Sequence, residues 1–198
     1  MAKLQNALAK KIPEWREEAK NIVGKKGANV ISQVTVAQAF GGMRGVKAMV
    51  CDTSEVPPAK GLVIRGIHLS ELTDKTPEDI FYLLCTGDLP NARDRKALQE
   101  ELASRASVPA YVWKVLEAMP KNSHPMCMLD TAILSMQRES EFVKAYNEGV
   151  AKTELWKSML EDCLTLQARI ATVAAGVYRM RFNKGKRIAP KKDLSYAE

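Results

Sequence analysis

The strongest constraint on the fold is a long stretch with almost no helix breaker. From Ala151 to Phe182 there is no proline and a single glycine, Gly176. Within it Leu155, Met159, Cys163, Leu166, Ile170, Val173, Val177 and Met180 recur at three- and four-residue steps, the spacing that lines one face of an α-helix. At 1.5 Å per residue the stretch predicts one helix of about 45–50 Å. That is long for one domain and suits an interface between subunits.

The segments around it also read as helical. Thr76-Pro77-Glu78-Asp79 carries the marks of a helix start: a hydroxyl cap, a proline in the first turn and acids at the positive end of the dipole. That helix passes through Phe81, Leu83 and Leu84, and Gly87 stops it. Asn91 caps the next helix, which carries Leu98, Leu102 and Ala106, and Pro109 opens a third with Val112, Val115, Leu116 and Met119. A loop between Pro120 and Pro125 leads to an apolar helix from Met126 to Met136.

The N-terminal third is more mixed. Leu4, Leu8, Ile12, Trp15 and Ala19 give an amphipathic helix, with a break or kink expected at Pro13 and an end at Gly24 and Gly27. Val30, Ile31, Val34 and Val36 are β-branched and roughly alternate, which predicts a short strand. A second apolar run follows at Val46 to Val50, then a turn at Pro57-Pro58 and a third candidate strand over Gly61–Gly66. Ser70 is the expected cap of a short helix through Glu71 and Leu72. The fold class is therefore mainly α, with a small β-containing patch near residues 30–66.

Composition excludes several functions. No apolar run reaches the roughly 20 residues of a membrane span. The start of the chain lacks an apolar signal core and carries acids at Glu14, Glu17 and Glu18, which argues against a transit peptide. The expected compartment is the cytoplasm, with the mitochondrial matrix as the alternative if a transit peptide has been removed. Cys51, Cys85, Cys127 and Cys163 form no CxxC pair, so a zinc cluster has no local support. They read as inert, mostly buried thiols of a reducing compartment. The net charge of +7 gathers in Arg179, Arg181, Lys184, Lys186, Arg187, Lys191 and Lys192. No nucleic-acid motif accompanies that basic tail, and acidic small molecules suit the same charge.

Several short motifs follow one another in a specific order. They are Gly41-Gly-Met-Arg-Gly-Val-Lys47, Ile64-Arg-Gly-Ile67, Pro77-Glu-Asp-Ile-Phe-Tyr-Leu-Leu84 and Thr86-Gly-Asp-Leu-Pro90. Then come His124-Pro-Met126, Glu139-Ser-Glu-Phe142, Ala145-Tyr-Asn-Glu-Gly149, Trp156, Glu161-Asp-Cys-Leu164, Val173-Ala-Ala175 and Tyr178-Arg179. Each alone is weak, but in this order and spacing the chain resembles the citrate synthases, of the long-chain, eukaryotic-like type.

The resemblance implies an almost all-α homodimer with a large and a small domain, condensing acetyl-CoA with oxaloacetate to citrate and CoA. The chain matches the N-terminal part of the large domain: a helix over 1–29, strands and loops over 30–66, a helical bundle over 67–183 and a basic tail over 184–198. The small domain is absent. In the family a histidine and an aspartate act together on the acetyl group, and they lie C-terminal to the matched region. No catalytic residue is therefore assigned, and the segment is expected to be inactive alone. His124 is read as a structural residue at a helix start. No cofactor is held permanently, since acetyl-CoA and CoA are substrate and product, and no metal is expected.

Two positions match residues that bind CoA phosphates in the family. Arg44 lies between glycines that let the backbone approach a ligand, and its guanidinium suits phosphate. Lys152 falls where the family can use an arginine from the partner subunit, keeping the charge without the bidentate fork. The helices 126–138 and 151–182 match those that pack across the dimer. Two other functions stay open: a methylcitrate synthase or citrate-cleaving relative, and a non-catalytic basic helical module.

Overall fold

The computed structural model describes residues 2–191 and Tyr196. The chain gathers into two compact units, one of residues Asn6–Pro90 and one of Met1–Gln5 with Asn91–Glu198. The boundary at Pro90 falls inside the stretch 67–183 that the sequence treats as one bundle. Lys192 and most of residues 193–198 lie outside the described residues.

Helix α1 (Ala2–Lys26) runs through Pro13 without ending. Proline removes the hydrogen bond to the carbonyl four residues earlier, here that of Ala9. Ala9 and Pro13 are both exposed, so water can serve that carbonyl, and of the expected break or kink the break does not occur. Gly24 stays inside the helix, and the turn closes at Gly27, whose N–H bonds Val23 O at 2.8 Å.

The expected strand at Val30–Val36 is not formed. Thr35 caps a short helix, α2 (Val36–Phe40), through a capping box with Gln38. Local side-chain bonds thus offered the backbone a helical turn, and among the described residues no strand pairs with 30–34. Residues 46–50 are also irregular, with Val50 93% exposed. The β patch is smaller than expected: β1 (Ser54–Glu55), β2 (Val63–Ile64) and β3 (Ile67–His68), antiparallel in the order β1-β2-β3. Between β2 and β3 lie only Arg65 and Gly66, at φ 48° and 82°, the two positive values a type I′ hairpin requires. The turn expected at Pro57-Pro58 is present, with Gly61 N bonding Pro57 O at 2.9 Å.

His68, not Ser70, caps the following 3₁₀ turn (Leu69–Glu71) by accepting from Ser70 N. Helix α3 (Pro77–Thr86) begins at the Thr76 capping box and ends at Gly87, φ 81°, as its sequence predicts. Ile64, Leu72 and Leu83 form the core of this unit, each buried aliphatic side chain contributing about 1.5–3 kcal/mol.

The second unit contains α4 (Ala92–Arg105), α5 (Ala110–Ala118), α6 (Pro125–Ser135), α7 (Glu141–Asn147) and α8 (Leu155–Arg181). Helix α6 passes into a 3₁₀ turn at Met136–Glu139. Its cap is His124, whose Nδ1 accepts from Met126 N at 3.2 Å, the structural use expected of it. The core joins Val112 and Leu116 of α5, Met128 and Ala132 of α6, Met136 beyond it, and Val173 and Val177 of α8.

Helix α8 is shorter than its sequence suggests. It starts at Leu155 and spans 27 residues, about 40 Å. Gly149, at φ 75°, ends α7 instead of leading into it: Val150 N bonds Ala145 O at 3.0 Å and Gly149 N bonds Tyr146 O at 3.1 Å, the Schellman pattern. The apolar stripe also divides. Val173 and Val177 are buried as expected, but Met159, Cys163 and Leu166 are exposed. In that half the buried face is Leu160, Leu164 and Ala168 instead.

The cysteines also depart from expectation. All four are free, but Cys51, Cys127 and Cys163 are exposed and only Cys85 is partly covered.

Candidate functional site

Arg44 sits in a loop that its glycines make possible. Gly42, Met43 and Gly45 have φ of 76°, 62° and 77°, a left-handed region that glycine enters freely and methionine rarely. Backbone bonds shape the loop: Gly41 N to Ala37 O at 2.9 Å, Met43 N to Gln38 O at 2.8 Å and Val46 N to Met43 O at 3.1 Å. The Arg44 side chain is exposed. Among the described residues its guanidinium has no hydrogen-bond or ion-pair partner, and its five donors point to nothing in the protein that consumes them.

Lys152 belongs to the other unit. It occupies the turn between α7 and α8, exposed like its neighbours Ala151 and Thr153, just past the Schellman end at Gly149. The opposite end of α7 is held from α8. Asp162 accepts from Glu141 N at 2.8 Å and Phe142 N at 3.1 Å, and from the Ser140 hydroxyl at 2.5 Å. One carboxylate therefore closes the N-terminus of α7. The motifs Glu139-Ser-Glu-Phe142 and Glu161-Asp-Cys-Leu164 meet at this carboxylate, a link the sequence order does not reveal.

A second link binds α4 to α8. Arg105 donates to Glu101 Oε1 at 2.6 Å, to Glu161 Oε2 at 2.7 Å and to Thr165 Oγ1 at 3.0 Å. Burial works against its charge, but the hydrogen bonds to Glu161 and Glu101 hold the guanidinium above its usual range. These residues are committed to the fold and offer no ligand site.

Three basic residues at and beyond the end of α8, Arg179, Arg181 and Arg187, are similarly engaged. Arg179 donates to the carbonyls of Lys184 and Lys186, and Arg181 to Ser123 O at 2.9 Å. Arg187 lies 4.4 Å from the centre of the Trp113 ring. These three guanidiniums are therefore held by the fold rather than offered freely to a partner.

No helix among the described residues is long and apolar enough to cross a membrane. Apolar side chains do stand exposed on α6 and α8: Leu134 at 74%, Met126 at 54% and Tyr178 at 53%.

Comparison with known proteins decides the family. The model of the citrate synthase C-terminal domain family matches residues 42–198. The mitochondrial citrate synthase of Saccharomyces cerevisiae is 37% identical over 193 residues, 92% of this chain and 40% of that protein. The chain belongs to the citrate synthase family.

The mitochondrial 2-methylcitrate synthase of Yarrowia lipolytica is 36% identical over 193 residues, 92% of this chain and 42% of its own length. Among solved structures, the citrate synthase of Pyrobaculum aerophilum superposes with a TM-score of 0.71 at 20% identity, over 85% of this chain and 43% of that one. That likeness establishes the helical fold. The chain thus spans about two fifths of the length of the citrate synthases it matches.

Proposed function

We propose that the chain works as part of a citrate synthase, which joins acetyl-CoA to oxaloacetate with uptake of water and release of citrate and CoA. The observation that carries this reading is the ordered match over residues 42–198. In this reading Arg44 binds CoA phosphates from the Gly42–Gly45 loop, and Lys152 supplies a second cation at the α7–α8 turn. Neither performs chemistry. The acid and base that enolise the acetyl group come from residues outside this chain, so the chain alone is inactive.

The exposed apolar residues of α6 and α8 support a homodimer built on helices 126–138 and 151–182. Mitochondrial relatives of both kinds favour the mitochondrial matrix over the cytoplasm as the place of work.

The test measures thiol release from acetyl-CoA and oxaloacetate, in an active preparation that contains this chain and with the chain alone. Arg44→Ala is expected to raise the KM for acetyl-CoA about tenfold with kcat little changed, since a charge-assisted phosphate contact is lost. An unchanged KM overturns the assignment of Arg44, and thiol release by the chain alone overturns its inactivity. The 2-methylcitrate synthase relative makes propionyl-CoA the necessary second substrate. Faster turnover with it than with acetyl-CoA moves the chain to that branch.

A further inference from the structure

We propose that Gln38 is a positioning residue for Arg44. The Arg44 loop adopts a backbone that methionine at position 43 disfavours, so something must hold it. Among the described residues one side chain bonds its backbone: Gln38 Nε2 donates to Arg44 O at 3.3 Å. The other end of the same amide is anchored in the capping box. Gln38 Oε1 accepts from Thr35 N at 3.0 Å and from the Thr35 hydroxyl at 3.2 Å, while Thr35 Oγ1 accepts from Gln38 N at 3.2 Å.

These bonds leave the amide one orientation. Flipped, it would set its oxygen against the Arg44 carbonyl and its N–H groups against the Thr35 N–H. The main-chain carbonyl of Gln38 accepts from Met43 N at 2.8 Å. One residue therefore ties the start of α2 to both sides of the left-handed turn, and so sets where the Arg44 side chain leaves the loop. Its role for ligand binding rests on the reading of Arg44 as a CoA phosphate ligand.

Two variants separate the contributions. Gln38→Glu keeps the acceptor that the Thr35 cap uses and removes the N–H that reaches Arg44. Gln38→Met removes both without adding charge. Trypsin cuts after Arg44, and the Lys26–Gly27 bond at the end of α1 serves as the internal reference. In both variants cleavage at Arg44–Gly45 is expected to rise about fivefold while the reference rate holds, because only the loop opens. Equal cleavage in native and variant proteins overturns the proposal, and so does a parallel rise at both bonds, which would mark a general loss of structure. Coenzyme A added to the native protein is expected to slow the Arg44–Gly45 cut, with less protection in the variants. If it protects nothing in the native protein, the coenzyme A reading of Arg44 falls, and the cleavage rates without it still decide the role of Gln38.

Discussion

The Arg65 guanidinium closes the C-terminal end of α3 by donating twice to the Leu84 carbonyl, from Nε at 3.1 Å and Nη2 at 2.8 Å. A last-turn carbonyl has no partner within its own helix and gains from a cation near the negative end of the dipole. The third nitrogen, Nη1, meets Asp52 Oδ2 at 2.9 Å, and the group lies 5.6 Å from the centre of the Trp15 ring. Hairpin, helix end and α1 are therefore joined through one side chain that is 13% exposed.

Arg65→Lys is expected to lower stability by about 1–2 kcal/mol and Arg65→Ala by about 2–3 kcal/mol, since lysine keeps the charge but cannot fork onto one carbonyl. Urea denaturation of the two variants checks the order. Equal losses would mean that the retained charge contributes nothing, and no loss for lysine would mean that charge, not geometry, is what the site uses.

Gly176 is the glycine that α8 needs. A Cβ built there would lie 2.5 Å from Trp113 Cζ3 and 2.7 Å from Cη2, closer than any real contact. The missing side chain lets the indole of α5 pack against the α8 backbone. Gly176→Ala gains up to about 1 kcal/mol in helix propensity but must displace a large ring in a packed core, at a cost of about 1–3 kcal/mol. Net destabilisation is expected, with a shift in tryptophan emission as Trp113 moves. A stabilised protein with unchanged emission would show that the ring yields freely.

Asp162→Ala removes three acceptor contacts at the start of α7. The loss of such a cap costs about 0.5–2 kcal/mol, and it should be local. Amide exchange at Glu141 and Phe142 is expected to accelerate while the Val173 region of α8 stays protected. Uniform acceleration across the unit would assign Asp162 a global role.

These relationships mark the limit of what the sequence discloses. The start of α3 was legible because Thr76, Pro77 and Gly87 act on their immediate neighbours. The strand expected at Val30–Val36 was not, because β propensity reports packing on a pleated face, and residues 30–34 have no such face among the described residues. The stripe of α8 was read correctly where α5 and α6 cover it, at Val173 and Val177. It was misread at Met159 and Leu166, where the helix turns Leu160 and Leu164 inward. Arg65 and Asp162 act on partners about twenty residues away in sequence, a distance that no local pattern encodes. At the candidate site the glycines around Arg44 announced an unusual backbone. The amide of Gln38 carried no signal beyond its place three residues after Thr35.

The cysteines offer a test by pH. Cys51 is exposed, and its thiol lies below the usual range, chiefly because the Thr53 hydroxyl hydrogen-bonds the sulfur at 3.4 Å, with backbone bonds at Ser54 and Thr53 adding to it. Cys163 is exposed as a residue, but the packing around its sulfur partly desolvates the thiol and pushes it up, and the neighbouring Asp162 carboxylate adds to the shift. The thiolate is the reactive form. A lowered value leaves more of it at neutral pH, and a raised value less. Iodoacetamide labelling followed by mass spectrometry is therefore expected to modify Cys51 well before Cys163 at pH 7, with the difference narrowing as pH rises and both become thiolates. Thr53→Val should delay Cys51 and leave Cys163 unchanged. Equal labelling of Cys51 in the native and Thr53→Val proteins would show that the hydroxyl does not stabilise the thiolate.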